Sequence, residues 1–87
     1  MSNIFDDFKS QRMIQAADIA RSPDAADAIR GRYQIVFDTT LNFVLFDNMD
    51  RAIKIMGEKG WRPTAMSVGL DVKVGRSIMY VLLEKTQ

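Results

Sequence analysis

Neither cysteine nor histidine occurs anywhere in this sequence of 87 residues. Without cysteine the chain can form no disulfide, thiolate metal site, CxxC redox pair or cysteine nucleophile. Without histidine it also lacks the commonest general base and the usual ligand of zinc, copper and haem. These two absences argue against ordinary hydrolytic or redox catalysis, so we expect no enzyme activity, no metal site and no cofactor.

An excess of charge of one sign is missing as well. The 12 Lys and Arg residues face 11 Asp and Glu residues, which leaves a net charge of +1 and no global field to steer the chain onto nucleic acid or an anionic membrane. No apolar run approaches the length of about 20 residues that a membrane helix needs. The first seven residues are acidic and do not resemble a secretory signal. We therefore expect a cytoplasmic protein without membrane contact.

What the chain does contain is apolar. Hydrophobic residues make up 47% of it, and five Phe, two Tyr and one Trp are among them, which predicts a folded chain and not a disordered one. The length predicts a single domain over residues 1–87. A domain of this size buries a limited fraction of its surface, so added burial through self-association is an expectation from the start.

The N-terminal segment, residues 3–31, is predicted to be helical. Residues 3–20 place Phe5, Phe8 and Ile19 on one stripe of an amphipathic helix. Arg12 falls in that stripe, where it either extends past the core or meets a carboxylate. A second short helix is predicted over residues 22–31, because Ser22 and Pro23 form a helix start and a terminal glycine follows.

Residues 33–87 are predicted to form a β-β-α-β-β core. The alternating run from Tyr33 and the apolar run 41–46 are predicted to form a hairpin with a turn at 38–40. The alternative is that the second run joins the following helix. That helix begins at Asp47 and ends near Gly60, which is predicted to have a positive φ. Two strands, 64–70 and 76–84, complete the core. The predicted fold class is α+β, with the N-terminal helices and the central helix on an antiparallel sheet of about four strands in the order α-α-β-β-α-β-β.

The sequence Glu58-Lys59-Gly60-Trp61, placed between a helix and two strands, resembles a group of small uncharacterised prokaryotic domains built as strand, helix, Glu-x-Gly-Trp, strand, strand. The resemblance covers roughly the last half of the chain. Arg62 and Pro63 stand where an acidic and an apolar residue normally follow in those domains. The resemblance implies a fold type and carries no chemistry that could be transferred.

Several residues are candidates for an interaction site. Six of them could form a basic rim around the aromatic side chain of Trp61, suited to phosphate contact and base stacking: Arg30, Arg32, Lys59, Arg62, Lys73 and Arg76. Trp61 beside a helix end is also typical of a core anchor, and that interpretation is favoured. The methionines, including Met66, are likewise interpreted as core filling, although methionine can also line an adaptable binding surface.

These patterns favour a non-catalytic protein interaction or assembly module that self-associates as a homodimer or docks on another protein. Phe5, Phe8 and Arg12 are candidate contacts because the N-terminal stripe must cover some apolar surface. The alternative is a nucleic-acid-binding accessory domain that uses the basic rim. An enzyme or small-ligand binder is the third possibility.

Overall fold

The structure is a computed structural model that describes residues 13–41, 46–71 and 75–86. Its elements, in chain order, are β1 (Met13–Gln15), α1 (Ala16–Arg21), a 3₁₀ helix (Pro23–Ala28), β2 (Tyr33–Leu41), α2 (Asp47–Glu58), β3 (Trp61–Asp71) and β4 (Arg76–Lys85). The fold class is α+β, as predicted. None of the helices in these ranges has the length and apolar character needed to cross a bilayer.

The described strands form one four-stranded sheet in the order β1-β2-β4-β3. β4 runs antiparallel to both of its neighbours, β2 and β3, whereas β1 runs parallel to β2. The number of strands agrees with the sequence prediction, but the sheet is mixed and not purely antiparallel. Because β2 and β3 both oppose β4, they run in the same direction with β4 between them, and α2 lies in the connection.

The prediction of one helix over residues 3–20 is wrong for residues 13–15. Residues Met13–Gln15 are a strand that pairs with Ile35–Phe37 of β2, and only Ala16–Arg21 continue as helix. A three-residue segment is too short for its periodicity to separate strand from helix, and here the edge of β2 supplies pairing partners. Residues 3–12, and with them Phe5, Phe8 and Arg12, lie outside the described residues.

The predicted hairpin turn at residues 38–40 is also wrong. Every residue from Tyr33 to Leu41 has a partner in β4, from Glu84 to Arg76, so β2 is one unbroken strand. The polar residue that suggested a turn, Asp38, is buried and points into the helical layer, where its Oδ2 accepts a hydrogen bond from the Met49 N–H at 3.1 Å. Most of the second predicted strand, residues 42–45, lies outside the described residues.

The core lies between one face of the sheet and the helices. Val36, Val81 and Leu83 of the sheet pack with Met49 and Met56 of α2, which confirms the predicted apolar face of that helix. α1 adds Ile19 to this cluster, and Trp61 closes it at the start of β3. Lys59 and Gly60 follow α2, and Gly60 has φ 92°, in the left-handed region that was predicted for it.

Candidate interaction surface

β3 is the last strand in the sheet order and one of its two edges is paired with β4. Among the described residues no strand lies against the other edge. It is a long edge strand, with 11 residues, whereas strands of about 5–6 residues are typical. A long edge strand presents a row of backbone N–H and C=O groups that can pair with another chain.

Three large apolar side chains on β3 are exposed to solvent. Met66, Val68 and Leu70 are 66%, 57% and 55% exposed. Because side chains alternate along a strand, all three lie on one face, and we call them the apolar stripe. Met66 is opposite the core residue Val81, so the apolar stripe lies on the helix-bearing face of the sheet, in a part that the helices leave uncovered.

The start of β3 is built differently from the rest of the strand. Pro63 has no N–H to donate, and the register against β4 shifts between Pro63 and Ala65, as at a β-bulge. Regular pairing resumes at Ala65 and continues to Asp71, opposite Arg76. The segment available for pairing with another strand is therefore residues 65–71, which contains the whole apolar stripe.

Met66 was interpreted from the sequence as core filling, and this was wrong. Met49 and Met56 are buried and Met79 is half-buried, but Met66 lies in solvent. The sequence signal was the run Met66-Ser67-Val68-Gly69-Leu70, which alternates large apolar residues with small ones. Alternation shows that the three residues share a face, but whether a helix covers that face depends on the position of the strand in the sheet.

Near the start of β3, the carboxylate of Glu84 in β4 is contacted by three donor groups. The Tyr33 hydroxyl donates a hydrogen bond to Glu84 Oε2 at 2.9 Å. Arg32 Nε lies 3.3 Å from Oε2 and Arg62 Nη2 lies 3.6 Å from Oε1. The hydrogen bond to Glu84, and then the negative charge of this carboxylate, raise the pKa of Tyr33 above its ordinary value. Both guanidinium groups are mostly exposed, so these ion pairs are weak by themselves.

The residues of the predicted basic rim do not share one surface. Arg32 and Arg62 meet through Glu84, and Arg30 is exposed in the segment before β2. Lys59 is bound instead to Asp27, with its Nζ 2.9 Å from Oδ1. Arg76 begins β4, at the opposite end of the sheet from Glu84. Lys73 lies outside the described residues.

Trp61 lies inside the protein and not at the centre of a basic surface. It is 3% exposed, and its indole N–H has no hydrogen-bond partner among the described residues. Lys85 Nζ lies 5.3 Å from the ring centroid and donates to the Lys59 carbonyl oxygen at 3.1 Å. The ring therefore packs in the core beneath an ammonium group, where a nucleic acid base has no room to stack on it.

A small pocket adjoins the N-terminal end of α2. It has a volume of about 120 Å³ and is lined by Gln15, Ala17, Phe37, Asp38, Thr39 and Asn48. Pockets for small organic ligands usually have volumes of about 300–1,000 Å³. This pocket is therefore too small to be the main feature of a ligand-binding protein.

Comparison with known proteins adds no further constraint. No protein-family model matches the chain, and neither the curated proteins nor the solved structures include a match. The arguments about function therefore depend on the geometry of the chain itself. The feature of that geometry that differs most from an ordinary protein surface is the apolar stripe on the edge of β3.

Proposed function

We propose that this protein is a non-catalytic protein interaction module, and that its partner pairs with the edge of β3 and packs on the apolar stripe. The observation that carries the proposal is the exposure of Met66, Val68 and Leu70 side by side on an edge strand. Natural edge strands are usually short or carry charges and prolines that prevent pairing. Residues 64–70 contain no charged residue and no proline.

The energetics favour a partner. Full burial of one Met, Val or Leu side chain stabilises by about 1.5–3 kcal/mol, and the three side chains here are each more than half exposed. A partner strand would also satisfy the outward backbone groups of residues 65–71. Backbone pairing gives affinity in such strand additions, and the side chains give specificity.

The composition supports a binding role over a catalytic one. The chain has no histidine or cysteine, and its cluster around Glu84 joins that carboxylate to two guanidinium groups and a phenol. In this cluster Glu84 forms two exposed ion pairs and one hydrogen bond, which link the ends of neighbouring strands. The cluster offers no activated nucleophile with a general base beside it.

Photo-crosslinking in the cells that make the protein tests this proposal. A photo-reactive amino acid in place of Val68 should give a discrete adduct with one protein. The same amino acid in place of Lys54, exposed on α2, serves as the control and should give none. The adduct should disappear when Met66 and Leu70 are both replaced by lysine. Equal adducts from the two positions, or none from Val68, would contradict the proposal.

A further inference from the structure

The segment of β3 that is available for pairing has its midpoint at one residue of the apolar stripe. Regular pairing with β4 covers residues 65–71, and Val68 is the central residue of that segment. Met66 and Leu70 lie two residues before and after it. A register centred on Val68 therefore pairs residues 65–71 of two copies over their full length, with each copy contributing the same residues, as in an isologous interface.

We propose that the partner of β3 is β3 of a second copy of this chain. The two strands pair antiparallel about a twofold axis that passes between the two Val68 residues. This inference rests on the proposed function. In this register Val68 faces Val68 of the second copy, and each Met66 faces the opposite Leu70. The six side chains form one continuous apolar cluster on a single face of the joined sheet.

Other registers of the two β3 strands pair fewer regular residues or separate the two apolar stripes. A shift that centres the pairing on Ser67 places Leu70 opposite Thr64, in the irregular part of the strand. A register in which the paired residue numbers sum to an odd number turns one apolar stripe to the opposite face of the sheet. The Val68 register is the one that pairs residues 65–71 over their full length and keeps both stripes together.

The charges permit this pairing. Residues 63–70 carry no charge, so no like charges meet in the middle of the interface. The dimer has a continuous eight-stranded sheet, two copies of the order β1-β2-β4-β3 joined at β3. The twofold axis is perpendicular to this sheet, which places the helices of both copies on the same side.

Sedimentation equilibrium of the full chain tests the dimer. We expect the mass to rise from that of a monomer to that of a dimer with increasing concentration. Val68→Lys places two like charges opposite each other and should weaken dimerisation by at least about tenfold. Gly57→Lys adds the same charge at an exposed position of α2, where a new Cβ meets nothing within 4 Å. This variant should leave dimerisation unchanged. Circular dichroism spectra of both variants should match that of the natural chain, which would show that both are folded.

Single cysteines test the register, because the natural chain has none. Two Cβ atoms directly opposite in an antiparallel pair lie about 4.5–5.5 Å apart, close to the distance a disulfide needs. Mild oxidation should therefore link Val68→Cys rapidly as a dimer. Met66→Cys is the control, since the two Met66 positions lie four residues apart along the strand, about 13 Å, and should link at least about tenfold more slowly.

A chain that stays monomeric at all concentrations overturns this proposal. Equal linking of the two cysteine variants overturns it as well, and so does a dimer that tolerates Val68→Lys. A monomer that still gives a crosslinked adduct with a different protein from position 68 would remove the second copy as partner and leave the proposed function intact. A monomer without any such adduct would contradict both.

Discussion

A single residue of β2 caps the central helix from outside. The residue before α2, Phe46, makes no side-chain cap, and the Met49 N–H instead donates to Asp38 Oδ2 at 3.1 Å. The second carboxylate oxygen accepts from the Thr39 N–H at 2.9 Å. Asp38 is buried, so removing its carboxylate would take the acceptor from both the Met49 N–H and the Thr39 N–H.

We predict that Asp38→Ala lowers the free energy of unfolding by about 1–2 kcal/mol, because a helix cap and a buried hydrogen bond are lost. Asp38→Asn keeps an oxygen acceptor and should lose less. Asp50 lies in the first turn of α2 but is exposed, so Asp50→Ala should change stability by no more than about 0.5 kcal/mol. Urea denaturation measures all three. If Asp50→Ala lowered the free energy of unfolding as much as Asp38→Ala, the helix dipole, and not the hydrogen bond from Met49 to Asp38, would account for the stabilisation.

Tyr33 provides a test by pH. Its hydroxyl donates to Glu84, which raises the pKa of Tyr33 in the folded protein. The sign follows from linkage: the stabilisation is complete below the pKa of tyrosine in the unfolded chain, about 10, and is lost as the pH rises through the higher pKa of the folded state. Absorbance near the tyrosinate band should show one tyrosine that titrates late, and Glu84→Gln should bring it back toward its ordinary range. An unchanged titration in that variant would refute the role of Glu84.

At the scale of elements, two glycines near the end of α2 should respond in opposite directions to the same change. Gly57 lies within the helix and a Cβ there meets nothing within 4 Å, so Gly57→Ala should stabilise by about 0.5–1 kcal/mol. Gly60 has φ 92°, which costs an L-residue about 1 kcal/mol or more, so Gly60→Ala should destabilise. Thermal denaturation of both variants is the measurement. Stabilisation by Gly60→Ala would contradict the left-handed conformation.

The elements that the sequence predicted well are those whose signals are local. The limits of α2 and the conformation of Gly60 follow from apolar spacing and glycine chemistry within a few residues of each other. β4, observed as Arg76–Lys85, was predicted as 76–84 from its apolar run. The elements that were missed depend on distant partners. Met13–Gln15 become a strand because β2 offers an edge, and residues 38–40 stay extended because β4 continues beside them.

The candidate site was likewise predicted only in the part that depends on local sequence. The sequence predicted a strand over residues 64–70, which β3 contains, but it did not predict that β3 would be at the edge of the sheet. Edge or centre is decided by the strand order β1-β2-β4-β3, in which β4 inserts between β2 and β3. No local pattern of residues encodes that insertion, so the apolar stripe looked like part of the core.

At the scale of the whole molecule, the distribution of charge argues against nucleic acid as the partner. Arg62 lies beside Glu84, near the end of β4. Arg76 lies at the start of β4, eight residues before Glu84, and the two positions are about 26 Å apart at about 3.3 Å per residue. Glu84 also offsets part of the charge of Arg32 and Arg62, and Asp27 holds Lys59. The cations are divided between two ends of the sheet, and Trp61, which lies at the Glu84 end, is buried.

We therefore predict no binding of single-stranded or duplex oligonucleotides at physiological salt, measured by fluorescence anisotropy of labelled probes. Phosphate contacts would make affinity fall steeply with salt, with a slope proportional to the number of phosphates neutralised. The triple variant in which Arg62, Lys73 and Arg76 are replaced by glutamine should behave like the natural chain. Val68→Lys is a matched control, because it adds a positive charge on the apolar stripe without touching either end of the sheet. Micromolar affinity at physiological salt that the triple variant abolishes and Val68→Lys retains would show that the two ends act together on one extended strand, and nucleic acid would then replace a protein as the partner.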